Sequence, residues 1–433
     1  MEKKSNKLWL IALAAVTMMT VACSSDDTEE VINEPNTNEG PAEPTIVEPK
    51  TRVDIVISPE ESKVNDAANQ FSLSFFNQMA NDPKAGPNVF VSPFSAQAAL
   101  SMTANGANDE TLNQMLAVLN MQDFDLNAIN KYNQSIIKAI ANLDNTTFLS
   151  SANGIWSRVD LLESFIGSMQ ESYDAKVEKT DFSREALIAI NDWAKEHTNG
   201  MIPELYDVDK GVSPSLIVVL ANALYFNGAW KEPFTKDFTE KGTFTNADKS
   251  QSVIDMMKES GYRNYLDCGT FDLCEKPYGN EAFSMVFLLP HKGTALSQCI
   301  GELTMKDWKA LTASLEESEK LVRLTVPKFE WKNLEYNLKP ALESMGMQIP
   351  FTDQADFRNM TEWNGLFIGS VTQKTALSLN EQGTQAAAIT KIEMWGSNGD
   401  DNYVDFVLNR PFAFLIKEKS TGVILFAGAV NRL

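Results

Sequence analysis

The chain has few of the residues on which most enzyme chemistry depends. Its 433 residues include two histidines, His197 and His291. Neither stands near a nucleophile elbow or at the spacing of metal ligands, and the sequence has no glycine-rich phosphate-binding loop. We therefore expect both histidines to be surface residues. We predict a protein that is not an enzyme and that uses no metal and no cofactor.

Cysteine is too scarce for a disulfide scaffold. Besides Cys23 near the N-terminus, the chain has Cys268, Cys274 and Cys299. Three thiols cannot all pair. Cys268 and Cys274 flank a turn and could form a disulfide, but two free thiols are an equal alternative.

Positive charge is also in short supply. The chain has 37 Lys and Arg against 58 Asp and Glu, which gives a formal net charge of −21. Such an acidic surface argues against nucleic acid as a partner. Hydrophobic residues make up 43% of the chain, which is enough to build a core. After the signal-like start, no segment reaches the ~20 apolar residues of a membrane-spanning helix.

Residues 1–22 are typical of an export signal. Lys3, Lys4 and Lys7 form a basic start, residues 8–16 are apolar, and small residues lead to Cys23. The stretch 20–23 resembles the processing site of bacterial lipoproteins, which implies lipid at Cys23; an ordinary cleaved signal peptide is the alternative. The acidic residues 24–30 are similar to the tag that sends Bacteroidetes-type lipoproteins to the cell surface. We expect an outer-membrane lipoprotein that touches the membrane through this lipid alone.

Residues 23–62 are predicted to form a flexible tether, and residues 63–433 a single domain. The tether is rich in Glu, Pro, Asn and Thr, a composition that cannot bury a core. The domain shows no linker, repeat or change in composition. Its periodicity predicts helices early and strands late, as in the α+β class. Expected helices are 65–80, 95–104, 110–119 and 339–346; expected strands are 216–226, 283–289, 322–326, and a hairpin of 412–416 with 423–430.

The segment 381–392 has the pattern of a strand near the C-terminus. Counting every second residue from Thr384 gives a small or apolar face without charge, whereas the charged Lys391 and Glu393 fall on the other face. Residues 396–402 are polar and glycine-rich, which is typical of an exposed loop. A loop with the pattern of a strand indicates a segment that can be placed in two ways.

Six stretches, in the family's order and at its spacing, resemble the serpin family over about residues 64–433. The resemblance implies the α+β serpin fold, with three β-sheets, eight to nine helices and an exposed reactive-centre loop at about 382–406. The matching stretches are 88–107, 191–202, 222–234, 326–329, 342–357 and 409–412.

The resemblance also implies a mechanism. Such proteins offer the loop as a substrate, and the peptidase forms an acyl-enzyme with it. The cut loop then inserts into the large sheet before water completes the reaction. At ~3.3 Å per residue, ~14 inserted residues would carry the peptidase on the order of 45 Å. The implied function is irreversible inhibition of serine endopeptidases by a monomer, with cysteine endopeptidases as a second class of target. Strain stored in the native fold would drive the insertion of the loop.

The family motifs assign roles to individual residues. Gly383 would let the loop fold over, Glu381 would pair with Lys328, and Trp230 would lie beneath the hinge. Gln373 stands where the family usually has histidine; since an amide both donates and accepts, we expect its polar network to persist. The implied hinge is Glu381, Gly383, Thr384, Ala386, Ala387 and Ala388, and the implied cluster where the sheet opens is Ser92, Ser95, Asn222, Trp230, Lys328 and Gln373.

The family register places the cleaved bond fourteen residues beyond Gly383, between Ser397 and Asn398. An insertion in the loop would shift this count by one to three residues. The alternatives are Met394, Trp395 and Gly396.

The loop sequence narrows the class of target. Ser397 suits a small primary pocket of elastase or subtilisin type, whereas Met394 or Trp395 suits a chymotrypsin-like pocket. No Lys or Arg lies between Lys391 and Arg410, which argues against trypsin-like targets. The alternative function is that of a non-inhibitory carrier or chaperone, or of a serpin that is merely a substrate.

Overall fold

Nine α-helices lie in the two ranges that the computed structural model describes, 48–384 and 402–433. This number agrees with the eight to nine helices expected. They are α1 (Pro59–Asn81), α2 (Pro93–Gly106), α3 (Asp109–Val118), α4 (Leu126–Ile140), α5 (Glu163–Tyr173), α6 (Arg184–His197), α7 (Leu296–Thr304), α8 (Trp308–Glu316) and α9 (Lys339–Ser344).

Fourteen β-strands lie in the same ranges. They are β1 (Val89–Val91), β2 (Thr147–Ser157), β3 (Lys176–Lys179), β4 (Val218–Gly228), β5 (Glu240–Thr245), β6 (Gln251–Asp267), β7 (Phe271–Pro277), β8 (Phe283–Pro290), β9 (Glu319–Pro327), β10 (Phe329–Asn337), β11 (Thr372–Leu379), β12 (Val404–Val407), β13 (Phe412–Glu418) and β14 (Ile424–Val430).

These strands form three sheets. The largest has nine strands in the order β1-β14-β13-β8-β7-β6-β9-β12, with β5 also paired to β6. In it β12 runs parallel to β9, whereas the other neighbours are antiparallel. A second sheet has the order β3-β2-β4, and a third pairs β10 with β11. The α+β class predicted from the sequence is confirmed.

The second and third sheets meet at a gap. Within the described residues, β4 and β11 form no ladder with each other. A narrow cavity lies between them, with Leu224 and Phe226 of β4 on one side and Thr375 and Leu377 of β11 on the other. The gap therefore interrupts what would otherwise be one sheet from β3 to β10.

Two helices that support the sheets begin with the same local chemistry. Ser58 caps α1: its side chain accepts from the N–H of Glu61, and the Glu61 carboxylate accepts from the N–H of Ser58. Ser92 caps α2 by accepting from the N–H of Ser95. In each case proline follows the cap, where its missing N–H costs no helical hydrogen bond.

The core divides into a large and a small cluster. The large cluster joins α1 and α2 to the nine-stranded sheet, with Phe90 stacked on Phe426 at 5.2 Å between ring centroids. The small cluster packs α6 against β2 and β4. In it the rings of Trp193 and Trp156 pack edge to face, with 5.0 Å between ring centroids. Helix α6 thus lies over the sheet next to the gap.

Several residues before 63 contact the domain. Helix α1 starts at Pro59, and the extended residues before it already lie against the domain. Ile55 and Ile57 pack against the large core, and the N–H of Lys50 donates to Oδ1 of Asn145 at 2.8 Å. The polar composition of the stretch 23–62 concealed these few apolar contacts.

The predicted elements are otherwise present, with bounds that differ by a few residues. Cys268, Cys274 and Cys299 are all free, which decides between the two alternatives for the first pair. His197 and His291 are both partly exposed. Among the residues described, no helix has the length and apolar character needed to cross a membrane.

Candidate functional site

The chain turns back on itself directly after β11. Asn380 and Gly383 exchange two backbone hydrogen bonds, of 3.0 and 3.2 Å, and Gly383 also forms an antiparallel bridge with Ala229, just beyond β4. The φ angle of Gly383 is +149°, and a Cβ atom there would lie 2.0 Å from the carbonyl oxygen of Gly228. Glycine is therefore required where the chain passes between the ends of β4 and β11.

Thr384 is the first residue inside this passage. Its N–H donates to the carbonyl of Gly228 at 2.9 Å, and its Oγ1 accepts from the N–H of Gly228 at 3.0 Å. The residue is 2% exposed. Thr384 thus adds one antiparallel step to β4, and it belongs to the face that the sequence predicted to be buried.

The cavity lies further along both strands from this point. Thr198 and Ile202, which follow α6, line it from one side, and Phe90 and Phe426 of the nine-stranded sheet contribute to its lining. The segment after α6 is fastened to β11, because Nζ of Lys374 donates to the carbonyl of Glu204 at 3.1 Å. This hydrogen bond links the segment after α6 to β11, across from the cavity.

Glu381 and Lys328 form the ion pair that the resemblance implied. Nζ of Lys328 lies 2.9 Å from Oε2 of Glu381, whose side chain is 7% exposed against 43% for the lysine. Burial raises the pKa of Glu381, but hydrogen bonds from Lys328 and from Thr239 outweigh this effect, so the pKa lies below its usual value. The carboxylate is therefore held in its charged form beside the hinge.

Trp230 lies beneath the hinge and supports it. Its backbone N–H donates to the carbonyl of Gln382 at 2.9 Å, and its indole N–H donates to the carbonyl of Asn380 at 3.1 Å. The ring is 2% exposed and stacks on Tyr278, with 4.3 Å between ring centroids. These contacts fix the position of the turn at residues 380–383.

Gln373 replaces the family's usual histidine and binds the start of α2 with both ends of its amide. Oε1 accepts from the N–H of Ser92 at 2.8 Å, and Nε2 donates to the carbonyl of Ser92 at 2.8 Å. Gln373 is 8% exposed and Ser92 2%. The N–H of Ser92 therefore depends on the amide, whereas its carbonyl also accepts from the N–H of Ala96 at 3.2 Å. The persistence of this network, expected because an amide both donates and accepts, is seen in these two bonds.

The same network reaches the other side of the gap. Oγ of Ser92 accepts from the N–H of Ser95, and Oγ of Ser95 donates to the carbonyl of Asn222 in β4 at 3.3 Å. The amide of Asn222 donates to Oδ1 of Asn153 at 2.8 Å, whereas its own buried Oδ1 has no hydrogen-bond partner in the described residues. Ser92, Ser95, Asn222 and Gln373 therefore connect β11 to β4 through the first turn of α2.

One buried group beneath the hinge was missed by sequence reasoning. Nζ of Lys276 lies 2.7 Å from both carboxylate oxygens of Glu259, 4.2 Å from the ring centroid of Phe234 and 5.3 Å from that of Trp230. Burial lowers the pKa of Lys276 to about 8, although Glu259 opposes this effect. No local sequence pattern marks this lysine as buried, because the strand order of the sheet brings its partners together.

Several predicted site residues lie outside the described ranges. These are Ala386, Ala387 and Ala388 of the hinge, the bond Ser397–Asn398, its alternatives Met394, Trp395 and Gly396, and Cys23. Their assigned roles stay predictions.

Comparison with known proteins gives a consistent result. Residues 66–433 match the family model described as Serpin (serine protease inhibitor). The chain is 32% identical to the leukocyte elastase inhibitor of Bos taurus over 388 residues, which cover 85% of this chain and 99% of that protein.

Two solved structures are similar to the chain along almost their whole length. The thermophilic serpin tengpin in its native state has a TM-score of 0.77 and 29% identity, with 89% of this chain and 98% of that chain covered. Human thyroxine-binding globulin has a TM-score of 0.74 and 27% identity, with 86% and 99% covered. One relative is thus named as an inhibitor and one as a binding protein.

Proposed function

Because the chain belongs to the serpin family, whose members are inhibitors or binding proteins and not enzymes, we propose that it is an inhibitor that traps serine peptidases irreversibly. The proposal includes cysteine peptidases as a second class of target. The reactive-centre loop is offered as a substrate, and its insertion into the gap between β4 and β11 arrests the reaction.

The position of Thr384 is the observation that carries this proposal. The threonine is buried beside the end of β4, and Gly383 bridges β4 and the end of β11. The bridges of Gly383 to Ala229 and to Asn380 are both antiparallel. A strand that continued in this direction would therefore run antiparallel to β4 and to β11. The position of the hinge therefore supports insertion between β4 and β11.

The loop sequence is suited to this movement. The face that begins at Thr384 continues with Ala386 and Ala388, small side chains that pass a narrow gap without a charge to desolvate. Once inserted, the loop adds backbone hydrogen bonds to both neighbouring strands, with successive residues bonding to one strand and then the other. The net gain is about 0.5–1.5 kcal/mol per bond. Over some ten residues this gain is on the order of 10 kcal/mol, which is enough to drive the change.

Inhibition depends on two competing rates, the insertion of the cleaved loop and the hydrolysis of the acyl-enzyme. The nucleophile of the peptidase attacks the carbonyl carbon of the cleaved residue and forms an acyl-enzyme. Insertion then carries the attached peptidase on the order of 45 Å for ~14 residues at ~3.3 Å each. The trap works when this movement is faster than hydrolysis of the acyl-enzyme. The network from Gln373 to Asn222 controls how readily the sheet opens.

The proposed cleavage site is Ser397–Asn398, with Met394, Trp395 and Gly396 as alternatives. Ser397 fits the small primary pocket of elastase-like and subtilisin-like peptidases, and Met394 or Trp395 fits a chymotrypsin-like pocket. The name of the bovine relative, leukocyte elastase inhibitor, agrees with the first of these classes.

The test is incubation with pancreatic elastase, subtilisin, chymotrypsin and papain, followed by denaturing electrophoresis. We expect a complex that survives detergent, together with a released C-terminal peptide. Cleavage after Ser397 of the 433-residue chain gives 433 − 397 = 36 residues beginning at Asn398, which mass spectrometry identifies. Complete turnover by all four peptidases without a stable complex would reject inhibition in favour of a substrate-like or carrier role, the latter as in the name of thyroxine-binding globulin.

We further propose that lipid on Cys23 attaches the protein to the outer membrane, with the domain at the cell surface. The support is the sequence of residues 1–30, with its basic start, apolar stretch, cysteine and acidic segment. The test is labelled fatty acid incorporation in the native chain and in Cys23→Ala. Equal incorporation in both, or none in either, would reject the lipid anchor.

A further inference from the structure

Two aspartates and a histidine meet where the turn between β6 and β7 approaches the end of β8. Asp267 ends β6, Asp272 lies in β7, and His291 follows β8. One ligand atom from each lies within 4.8 Å of the others. Nε2 of His291 is 3.0 Å from Oδ1 of Asp272 and 3.8 Å from Oδ1 of Asp267.

We propose that Asp267, Asp272 and His291 bind a divalent transition-metal cation, and that Zn²⁺ fits best. Zinc takes imidazole nitrogen and carboxylate oxygen at ~2.0–2.2 Å, usually in a tetrahedron, whose ligand atoms are then about 3.3–3.6 Å apart. The two measured separations, 3.0 and 3.8 Å, lie on either side of this value. Three protein ligands leave the fourth position to water, which reaches the site because the side chains of Asp267 and His291 are 63% and 36% exposed.

The register of the strands supplies a reason for a cation at this place. Asp267 and Asp272 are direct cross-strand partners in the pairing of β6 with β7. Like charges opposite each other destabilise a sheet, unless a cation lies between them. A protonated His291 brings one positive charge, whereas a divalent cation brings two and binds all three side chains directly.

The surrounding bonds hold the three side chains in place. The hydroxyl of Tyr265 donates to Oδ1 of Asp272 at 2.8 Å, and the N–H of Gly269 donates to Oδ1 of Asp267 at 2.7 Å. The ring of His291 is also hydrogen-bonded to the backbone of Gly269. Metal-binding histidines and carboxylates are typically oriented by such hydrogen bonds, so the ligands are preorganised without the metal.

The site adjoins the segment that follows the reactive-centre loop. The ring of Tyr265 meets that of Phe406 in β12 edge-on at 6.4 Å. Arg410 donates to the carbonyl of Pro290, the residue before His291, at 2.7 Å. A bound cation would therefore stabilise the part of the nine-stranded sheet to which β12 is attached. This inference stands apart from the proposed inhibition of peptidases.

The experiment measures binding of Zn²⁺ to the full chain by isothermal titration calorimetry, with Co²⁺ absorption as a report on the ligands. We expect one saturable site and a higher thermal midpoint with Zn²⁺. Asp267→Asn and His291→Gln should each weaken binding at least about tenfold. The Co²⁺ spectrum should show tetrahedral coordination without a thiolate charge-transfer band.

Two matched controls separate this site from other metal binding. His197→Gln removes the other histidine of the chain, and Cys268→Ala removes the thiol beside Asp267; both should bind as the unaltered chain does. Circular dichroism without metal checks the fold, and Asp267→Asn, at an exposed side chain, preserves it. Failure of the unaltered chain to bind, unchanged affinity in His291→Gln, or loss of binding in either control would overturn the proposal.

Discussion

Oγ1 of Thr384 accepts a hydrogen bond from the backbone N–H of Gly228 at 3.0 Å, so a side chain takes the place of a backbone partner at the end of β4. The N–H of Thr384 donates back to the carbonyl of Gly228. This reciprocal contact is the first step of a new ladder on β4. It makes Thr384 the position at which the proposed insertion is most sensitive to substitution.

Thr384→Arg should convert an inhibitor into a substrate. The long cation would have to enter a site that is 2% exposed, and among the described residues no acidic group is a hydrogen-bond partner of Thr384. We expect the yield of detergent-resistant complex to fall at least about tenfold, an effect of at least about 1.4 kcal/mol on the competition between insertion and hydrolysis, while the loop is still cleaved. Thr384→Ser, which keeps the hydroxyl, is the matched control. An unchanged yield of complex in Thr384→Arg would contradict this account.

Removing the cation beside Glu381 should loosen the hinge. The side chain of Glu381 is 7% exposed. Its carboxylate bonds to Lys328 and to Thr239, and in Lys328→Met it keeps the hydroxyl of Thr239. We expect a loss of about 1 kcal/mol, since the lysine is largely exposed and water screens the pair. Glu381→Gln with Lys328→Met in a double-mutant cycle, followed by urea unfolding, measures the coupling. A coupling near zero would show that the pair has no role in stability.

Stability should decrease in acid through the same carboxylate. The pKa of Glu381 in the folded protein lies below the ordinary value of 4.5. Its contribution is therefore complete above pH 4.5 and is lost as the pH falls through the lower, folded-state pKa. Thermal unfolding between pH 6 and pH 3 should show a smaller decline in Glu381→Gln than in the unaltered chain. Identical declines would assign the acid sensitivity to other groups.

Gln373→Leu should open the polar network. It leaves the N–H and the carbonyl of Ser92 buried without the partner that each now has in the amide. The carbonyl of Ser92 still accepts from the N–H of Ala96 at 3.2 Å, so only the N–H is left unsatisfied. At about 1–3 kcal/mol for one unsatisfied group, we expect a loss of about 1–3 kcal/mol, measured by thermal unfolding.

Gln373→His is the informative companion variant, because it restores the residue that the family usually has. A neutral imidazole can both donate and accept, whereas an imidazolium cannot accept from the N–H of Ser92. The stability that it recovers should therefore decline below about pH 6.5. Absence of this pH dependence would argue against a direct bond to Ser92.

The sequence predicted those parts of the site that depend on local pattern or on family motifs. Alternation marked Thr384 for burial, and the motifs placed Glu381 next to Lys328 and Trp230 beneath the hinge, as the structure has them. The helices and strands followed from periodicity and from caps such as Ser92 with Pro93. The caps and periods extend over a few residues and are visible in one stretch of chain, whereas the contacts of Glu381 and Trp230 were implied by the family motifs.

Features that depend on strand register were not predictable in this way. Lys276 is buried because β7 places it against Glu259 of β6, seventeen positions away. Asp267 and His291 are 24 positions apart in the chain. They lie close together because the hairpin of β7 and β8 returns the chain to the end of β6. The contacts of Ile55 and Ile57 with the core were not predictable either, because two isoleucines in a polar stretch form no period.

The attachment of Lys50 to Asn145 determines where a pulling force enters the molecule. Asn145 lies two residues before β2, whose first residue, Thr147, pairs with Gly228 at the end of the sheet that receives Thr384. Tension applied at Lys50 would thus reach β2, the strand next to β4 at the gap. A protein held in this way would feel mechanical load at the point where its sheet must open, and the rate of trapping would then depend on how hard the chain is pulled.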